Sequence, residues 1–262
     1  MPSGVPYIVD YDDAVFHNYD LSDNTLVRRL LGQKIDRVMA GAATVICGNG
    51  YLADRAEQAG AKRVERVPTV VNIERYTPVP VTSNASPVIG WIGSPSTQHY
   101  LLELRTVFER LHRLHGIRLV LVGATLELAQ QFGSVPVDVL PWSEEMEAEH
   151  VAGFDIGIMP LRDGPWERGK CGYKLIQYMA CAKPVVASPV GVNTEIVQGR
   201  DCGLLATSHE QWFSVITQLL NDTALRAELG KRGRVAVERH YSLQVQAPRM
   251  AKILCGAAAR EP

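Results

Sequence analysis

From residue 87 onwards, short apolar runs alternate with longer stretches in which apolar residues return every three or four positions. The runs Pro87 to Gly93, Ile117 to Gly123, Val135 to Leu140, Phe154 to Pro160, Val185 to Ala187 and Gly203 to Ala206 are mostly apolar, interrupted only by Arg118, Asp138 and Asp155. They read as strands, most of them buried on both faces. Between them the spacing predicts a long helix from Thr97 to about His115, helices over 125–132 and 143–151, and a helix carrying Leu175, Ile176 and Met179 on one face. Lys183-Pro184 stops that last helix, because proline lacks an amide proton and biases its predecessor towards extended geometry. Further helices are expected from Thr194-Glu195 and over 209–220, 222–237 and 243–258. This alternation predicts an α/β protein with a parallel sheet covered on both faces, whose ligands sit at the carboxyl ends of the strands.

The first 77 residues give a shorter pattern. Val5 to Asp10 reads as a strand, and Thr25 to Ala40 as one amphipathic helix with Leu26, Leu30, Leu31, Ile35, Val38 and Met39 facing a core. Arg28, Arg29, Lys34 and Arg37 make its other face a solvated basic one, with contact to an anionic membrane surface as the second reading. A strand at 43–47, Gly48-Asn49-Gly50, a helix to about Ala59 and a strand at 64–67 follow. From Pro78 to Pro87 the residues turn to Pro, Ser, Thr and Asn, the composition of a linker. The expected organisation is therefore an N-terminal domain over 1–77, a linker over 78–86, a second domain over 87–240, and a closing helix over 241–262 that returns to the first domain.

Totals narrow the function classes. A net charge of −1 over 262 residues gives no reason to expect nucleic acid. Five cysteines, odd in number and without a Cys-x-x-Cys pair, read as reduced thiols of a cytoplasmic protein. No apolar run approaches the length that spans a bilayer. Asp10, Asp12 and Asp13 have the spacing of a metal cluster, but a strand end followed by helix-capping aspartates accounts for them with fewer assumptions. His17, His99, His112 and His115 read as structural or surface groups.

The chemistry concentrates in residues 168–195. Gly169 to Gly172 forms a small, cationic turn at the head of a helix, with Lys170 inside it and Lys174 just beyond. Glycines let a ligand approach the backbone, and helix N-terminal amides point at it, so the expected ligand is an anion, most simply a phosphate. Ser188-Pro189-Val190-Gly191 ends a strand on the same side of the sheet. Gly93, Ser94, Ser96 and Thr97, after the first strand of the second domain, occupy the position where diphosphates usually sit in α/β units.

The run Lys174-Leu-Ile-Gln-Tyr-Met-Ala-Cys-Ala-Lys-Pro-Val-Val-Ala-Ser-Pro-Val-Gly-Val-Asn-Thr-Glu-Ile-Val resembles the signature of retaining glycosyltransferases of GT-B fold, group 1 or family 4. That signature is a Glu, seven residues, a second Glu on a helix, a small-residue turn, Pro-Val, and a Gly-rich loop before Glu-Ile-Val. Here the second glutamate is Gln177 and the first position is Gly169. Pro68 to Pro78 is similar to the family's crossing between domains. The resemblance implies two Rossmann-like domains, the N-terminal one partial, so that the chain resembles the C-terminal two thirds of such an enzyme.

It also implies transfer of a sugar from a nucleoside-diphosphate donor to an unidentified acceptor with retention, without metal or cofactor. The leaving diphosphate then calls for positive charge and amide donors rather than a strong base. The implied catalytic groups are Lys170 and Lys174. The implied donor-binding set is Gly93, Ser94, Ser96, Thr97, Trp142 beside the base, Gly172, Gln177 on the ribose, Val190 and Gly191 near the sugar, and Glu195, with Glu167 nearby. A cytoplasmic enzyme with peripheral contact at the inner face of the membrane is the matching location. Two rival readings are a nucleotide-sugar-binding module that has lost turnover, and a nucleotide-sugar epimerase, which needs a set of acid and base groups that the second domain lacks.

Overall fold

Two parallel sheets organise the chain, each in its own compact unit, in a computed structural model that describes residues 5–78 and 86–258. Most of the segment read as a linker, 79–85, lies outside the described residues. The first unit comprises Met1–Val70, Asp163–Cys171 and Leu243–Pro262, and the second Val71–Arg162 and Gly172–Ser242.

In the first unit, β1 (Ile8–Tyr11), β2 (Thr44–Cys47) and β3 (Val64–Arg66) run parallel in that order, with Ile8 opposite Thr44 and Val45 opposite Val64. The central strand β2 is buried throughout. Its side chains alternate between two small cores. Val45 and Cys47 pack with Met39, Leu52 and Cys171, whereas Ile46 packs with Val67 and Ile253 of the helix Leu243–Ala258.

The expected single helix over 25–40 is two, Thr25–Leu31 and Lys34–Gly41, separated at Gly32 and Gln33. Asn24 caps the first by accepting from Leu26 and Val27 N–H. The apolar face predicted to enter a core does so only in the second helix, through Met39. Leu26 and Leu30 are 66% and 71% exposed. The periodicity runs through the break, but the backbone leaves helical geometry at Gln33 (φ −104°, ψ 14°), and the leucines of the first helix stay open to solvent.

The second unit holds β4 (Val88–Ile92), β5 (Arg118–Val122), β6 (Val137–Leu140), β7 (Ile156–Met159), β8 (Val185–Ala187) and β9 (Gly203–Leu205). Their order is β6-β5-β4-β7-β8-β9, all parallel. Strand residues alternate between two cores, as the two-residue period demands. Val88, Ile92, Val120, Val122, Met159, Val185 and Ala187 meet Leu175, Ile176, Tyr178 and Met179 of the helix Tyr173–Ala180. Ile89, Trp91, Leu119, Leu121, Ile156, Ile158 and Val186 meet Phe108, Leu111, Trp212 and Ile216 on the opposite face. Truncating one such buried large side chain to alanine costs ~2–5 kcal/mol, so this unit has ample apolar burial to hold its loops in place.

The predicted long helix to His115 is also interrupted. Pro95–Thr97 is a 3-10 turn, His99–Leu102 a short helix, and Arg105–His115 the main one, closed by Gly116 in the left-handed region. The short helix Pro165–Arg168, in the first unit, had no counterpart in the sequence reading. Among the described residues no helix is long and apolar enough to cross a membrane.

Candidate functional site

The sheet of the second unit reverses direction at β4. The chain runs outward through β5 and β6, then returns to place β7 on the other side of β4. Loops leaving the carboxyl ends of β4 and β7 therefore diverge, and the crevice between them is the usual ligand position of an open α/β sheet. Tyr178 fixes the helix Tyr173–Ala180 over this point. Its hydroxyl accepts from Ile92 N–H at 3.1 Å and donates to the Ile158 carbonyl at 3.2 Å, bridging β4 and β7.

That docking carries Lys174 to the crevice. A Cβ on Gly93 would lie 2.7 Å from Lys174 Cε and 2.4 Å from the Trp91 ring, so only glycine fits there. Lys174 Nζ stands 5.3 Å from the centroid of the Trp91 ring. The helix starts at Gly172, which is left-handed (φ 71°) and caps with no side-chain bond. A side chain at Gly172 would be strained in that conformation and would strike Ile196 at 2.4 Å. The head of this helix, without a side-chain cap, thus packs beside Val192, Asn193 and Ile196 of the helix Val192–Val197, and the half-buried Lys174 lies in its first turn. An anion is the matching ligand.

The neighbouring loops are braced. Ser94 and Ser96 share a 2.8 Å hydroxyl contact, and Thr97 Oγ1 donates to the Ser94 carbonyl. All three hydroxyls thus have an internal partner, and Ser94 and Ser96 remain exposed. Gln98, which the sequence did not single out, clasps the loop after β5: its Oε1 accepts from Thr125 N–H at 2.8 Å and its Nε2 donates to Thr125 Oγ1. Past β8, Ser188 Oγ accepts from Leu161 N–H, and buried Asn193 donates to the Ser188 carbonyl. Gly191 and Glu195 are exposed, whereas Val190 is 5% exposed and faces inward.

Trp142 and Gln177 belong to one polar chain that sequence reasoning only half found. Trp142, 55% exposed at the end of β6, donates its indole N–H to Glu147 Oε2 at 3.0 Å. The other oxygen of buried Glu147 accepts from the Tyr76 hydroxyl at 2.7 Å, and that hydroxyl accepts from Gln177 Nε2 at 3.1 Å. Gln177, read as the ribose contact, is 2% exposed with its amide committed to Tyr76. Burial pushes the Tyr76 phenol well above its ordinary range. Tyr76 and Glu147 carry no motif, and their separation from Gln177 in the chain hid the partnership.

Lys170 and Glu167 fall in the first unit. Lys170 Nζ lies 3.4 Å from Asp13 and 5.8 Å from the Trp166 ring centroid. Asn49, in the Gly48-Asn49-Gly50 turn, organises this segment: its Nδ2 donates to the carbonyls of Gly169 and Lys170 while its Oδ1 caps the helix Gly50–Gln58. Beside Gly169, a Cβ would meet Ala14 at 2.4 Å, so the position of the signature's first glutamate is closed to any side chain. Burial pushes the adjacent Cys171 thiol up to about 12.

The same unit contains a cavity of about 630 Å³ at the carboxyl ends of its strands, lined by Asp10, Asp12, Thr69 and, on the helix Leu243–Ala258, Met250 and Leu254. Burial first, and the Asp12 charge second, hold Asp10 above the usual carboxylate range. His17 is structural here, bonded at 2.8 Å to both Asp20 and the Tyr51 hydroxyl. No group of three or more His, Cys, Asp or Glu suited to a metal occurs among the described residues.

A family model described as glycosyl transferases group 1 matches residues 86–222, just over half of the chain. Among solved structures, sucrose-phosphate synthase from Thermosynechococcus elongatus superposes with a TM-score of 0.76 at 19% identity, covering 96% of this chain and 68% of that one. Anabaena HepE in complex with UDP and glucose gives 0.74 at 19% identity, over 96% and 72%. WaaG, a glycosyltransferase involved in lipopolysaccharide biosynthesis, gives 0.73 at 16% identity, over 96% and 76%. At these identities the likeness is one of fold. A search of curated proteins finds no match.

Proposed function

Because this chain belongs to the group 1 glycosyl transferases and has their α/β fold of GT-B type, we propose that it transfers a sugar from a uridine diphosphate donor, with retention of configuration, to an acceptor hydroxyl. The observation that carries this reading is Lys174 held over Gly93 at the β4–β7 crossover, with the uncapped head of the helix Tyr173–Ala180 beside it. When the bond from sugar to diphosphate breaks, negative charge grows on the leaving phosphoryl oxygens. Fixed amides and an ammonium aimed at that position lower the barrier, because they need no reorganisation as the charge appears.

In this mechanism Lys174 and the first-turn amides take the distal phosphate, the exposed hydroxyls of Ser94 and Ser96 with the half-buried Thr97 the proximal one, and the Trp142 ring the uracil. Gly191 and Glu195 border the sugar. The acceptor hydroxyl then attacks from the side the leaving group vacates, and its proton passes to the departing diphosphate, which accounts for retention without a protein base. UDP is the proposed nucleotide because HepE, whose fold this chain shares, was solved with UDP and UDP-glucose.

The test is calorimetric titration with UDP, then UDP-glucose turnover followed by anomeric proton resonances. Lys174→Ala is expected to weaken UDP binding about tenfold, the worth of one charge-assisted contact, and to lower donor cleavage further. Unchanged binding and turnover in that variant would remove Lys174 from the reaction. A binding module without turnover is the second reading, favoured by Gly169 and Gln177 in place of the signature's acids. UDP binding with no donor cleavage, with any acceptor tried, would select it.

A further inference from the structure

The loops described above all leave carboxyl ends of strands. On the opposite edge of the same sheet, where the chain enters β9, lies a cavity of about 510 Å³ walled by Arg200, Lys231, Arg232, Arg239, His240 and Glu228. Three elements build it: the turn after the helix Val192–Val197, the end of the helix Thr223–Ala236, and the wide turn Val237–Tyr241 that follows. We propose that this cavity is a second anion site of the second unit, shaped for a phosphoryl group.

Charge bookkeeping around the cavity leaves it cationic. Glu228, the one carboxylate in its wall, and Asp201, beside Arg200 in the chain, are both engaged by Arg232, and the charge of Glu195 reaches Tyr241 together with that of Arg200. Glu238, one turn beyond, is engaged by Arg234 at 2.7 Å. Lys231 and Arg239 form no ion pair among the described residues. Arg200 lies beside the Tyr241 hydroxyl, and its buried Nε has no acceptor among the described residues. A buried guanidinium N–H without an acceptor is unfavourable, and native structures rarely leave one so. A phosphoryl oxygen supplies that acceptor and meets the unmatched charges of Lys231 and Arg239 with the same ligand. The field is felt by His240, whose imidazole is held below its ordinary value by burial first and by Arg200 and Arg239 next.

The cavity is larger than inorganic phosphate, so the group arrives on a larger molecule. A soluble phosphorylated metabolite and a phospholipid headgroup offer the same chemistry, and the experiment separates them. The intact protein is saturated with UDP, to occupy the crevice at β4 and β7, and titrated calorimetrically with inorganic pyrophosphate. Wild type is expected to bind it, more weakly as salt rises. Arg200→Gln, and separately Lys231→Gln with Arg239→Gln, are expected to weaken it about tenfold with UDP affinity unchanged. The paired variant alters only exposed side chains, so loss of folding does not confuse its result.

Co-sedimentation with phosphatidylglycerol vesicles, against phosphatidylcholine vesicles, gives the second arm. Preference for the anionic vesicles that disappears in the paired variant assigns a headgroup, and pyrophosphate binding without vesicle binding assigns a soluble ligand. No pyrophosphate uptake beyond the UDP site, or equal uptake by all variants, overturns the proposal. Should UDP itself fail to bind, the donor reading falls, and pyrophosphate titration of Lys174→Ala beside the paired variant still reports on this cavity alone.

Discussion

Gln177 donates to the Tyr76 hydroxyl at 3.1 Å, and the single proton of that hydroxyl is directed to Glu147 at 2.7 Å. The arrangement gives a reason for an amide where the signature has an acid. A carboxylate at 177 has no N–H to offer, and it would stand across one hydroxyl from the buried Glu147 carboxylate. Gln177→Glu is therefore expected to lower stability by ~1–3 kcal/mol at neutral pH, the range for an unsatisfied buried polar group. As pH falls, the new acid takes up a proton, regains a donor, and stability recovers towards wild type. Urea midpoints at pH 7 and pH 5 measure this, and equal midpoints at pH 7 would contradict it.

Four thiols, Cys47, Cys171, Cys181 and Cys202, are buried, and burial pushes each up to about 12. Their ordinary value is 9.0. The folded pKa lies above the unfolded one, so the folded chain keeps protons that the unfolded chain releases between these values. This contribution is fully present below about pH 9 and is lost as pH rises towards 12. Each thiol adds ~1.4 kcal/mol of lost stability per pH unit within that window. Denaturant midpoints between pH 8 and pH 10.5 should fall, and Cys202→Ala should shallow the slope. An identical slope in that variant would refute the assignment. Exposed Cys255 should be the cysteine that alkylating reagents reach in the folded protein.

The units should differ in local stability. In the first, a three-stranded sheet carries two small cores, and Leu26 and Leu30 of the helix Thr25–Leu31 lie open to solvent. In the second, a six-stranded sheet is packed on both faces. Opening the first exposes less apolar surface and so costs less free energy. Amides of β2 are expected to exchange faster than those of β4 and β5 by about tenfold or more, ~1.4 kcal/mol in opening free energy. Equal protection by mass-resolved exchange would sink the comparison.

The strands of the second unit were legible because parallel strands buried on both faces leave continuous apolar runs. Lys183-Pro184 marked the end of the Tyr173–Ala180 helix just as plainly. Helix continuity was not legible. Residues 25–41 and 95–115 keep their three-to-four spacing across breaks, since periodicity records which face is apolar and is blind to a local change of axis. Of the candidate site, Gly93, Gly172 and Lys174 were visible as glycine and lysine placed at strand and helix ends. The chain Trp142–Glu147–Tyr76–Gln177 was not, because hydrogen bonds between positions 71 and 101 residues apart leave no pattern in a single sequence.

Gly93 and Lys174 offer the sharpest separation of chemistry from stability. The Cβ of Gly93→Ala would press on the Trp91 ring at 2.4 Å and on Lys174 Cε at 2.7 Å. Trp91 is 2% exposed and packed within the core, so it has no room to retreat. Overpacking of this kind costs ~1–3 kcal/mol. The strain also falls on the strand end that aims the Ser94 loop, and the flexible lysine is the part that moves. Gly93→Ala is thus expected to lose both stability and UDP affinity, the latter by about tenfold or more. Lys174→Ala removes the ammonium from a half-buried surface position and should lose affinity alone, with a denaturation midpoint close to wild type. Paired calorimetry and thermal unfolding of the two variants decide the matter. Should Gly93→Ala bind UDP as wild type does while unfolding at a lower temperature, the glycine serves packing only and the crevice beside it is not where the diphosphate rests.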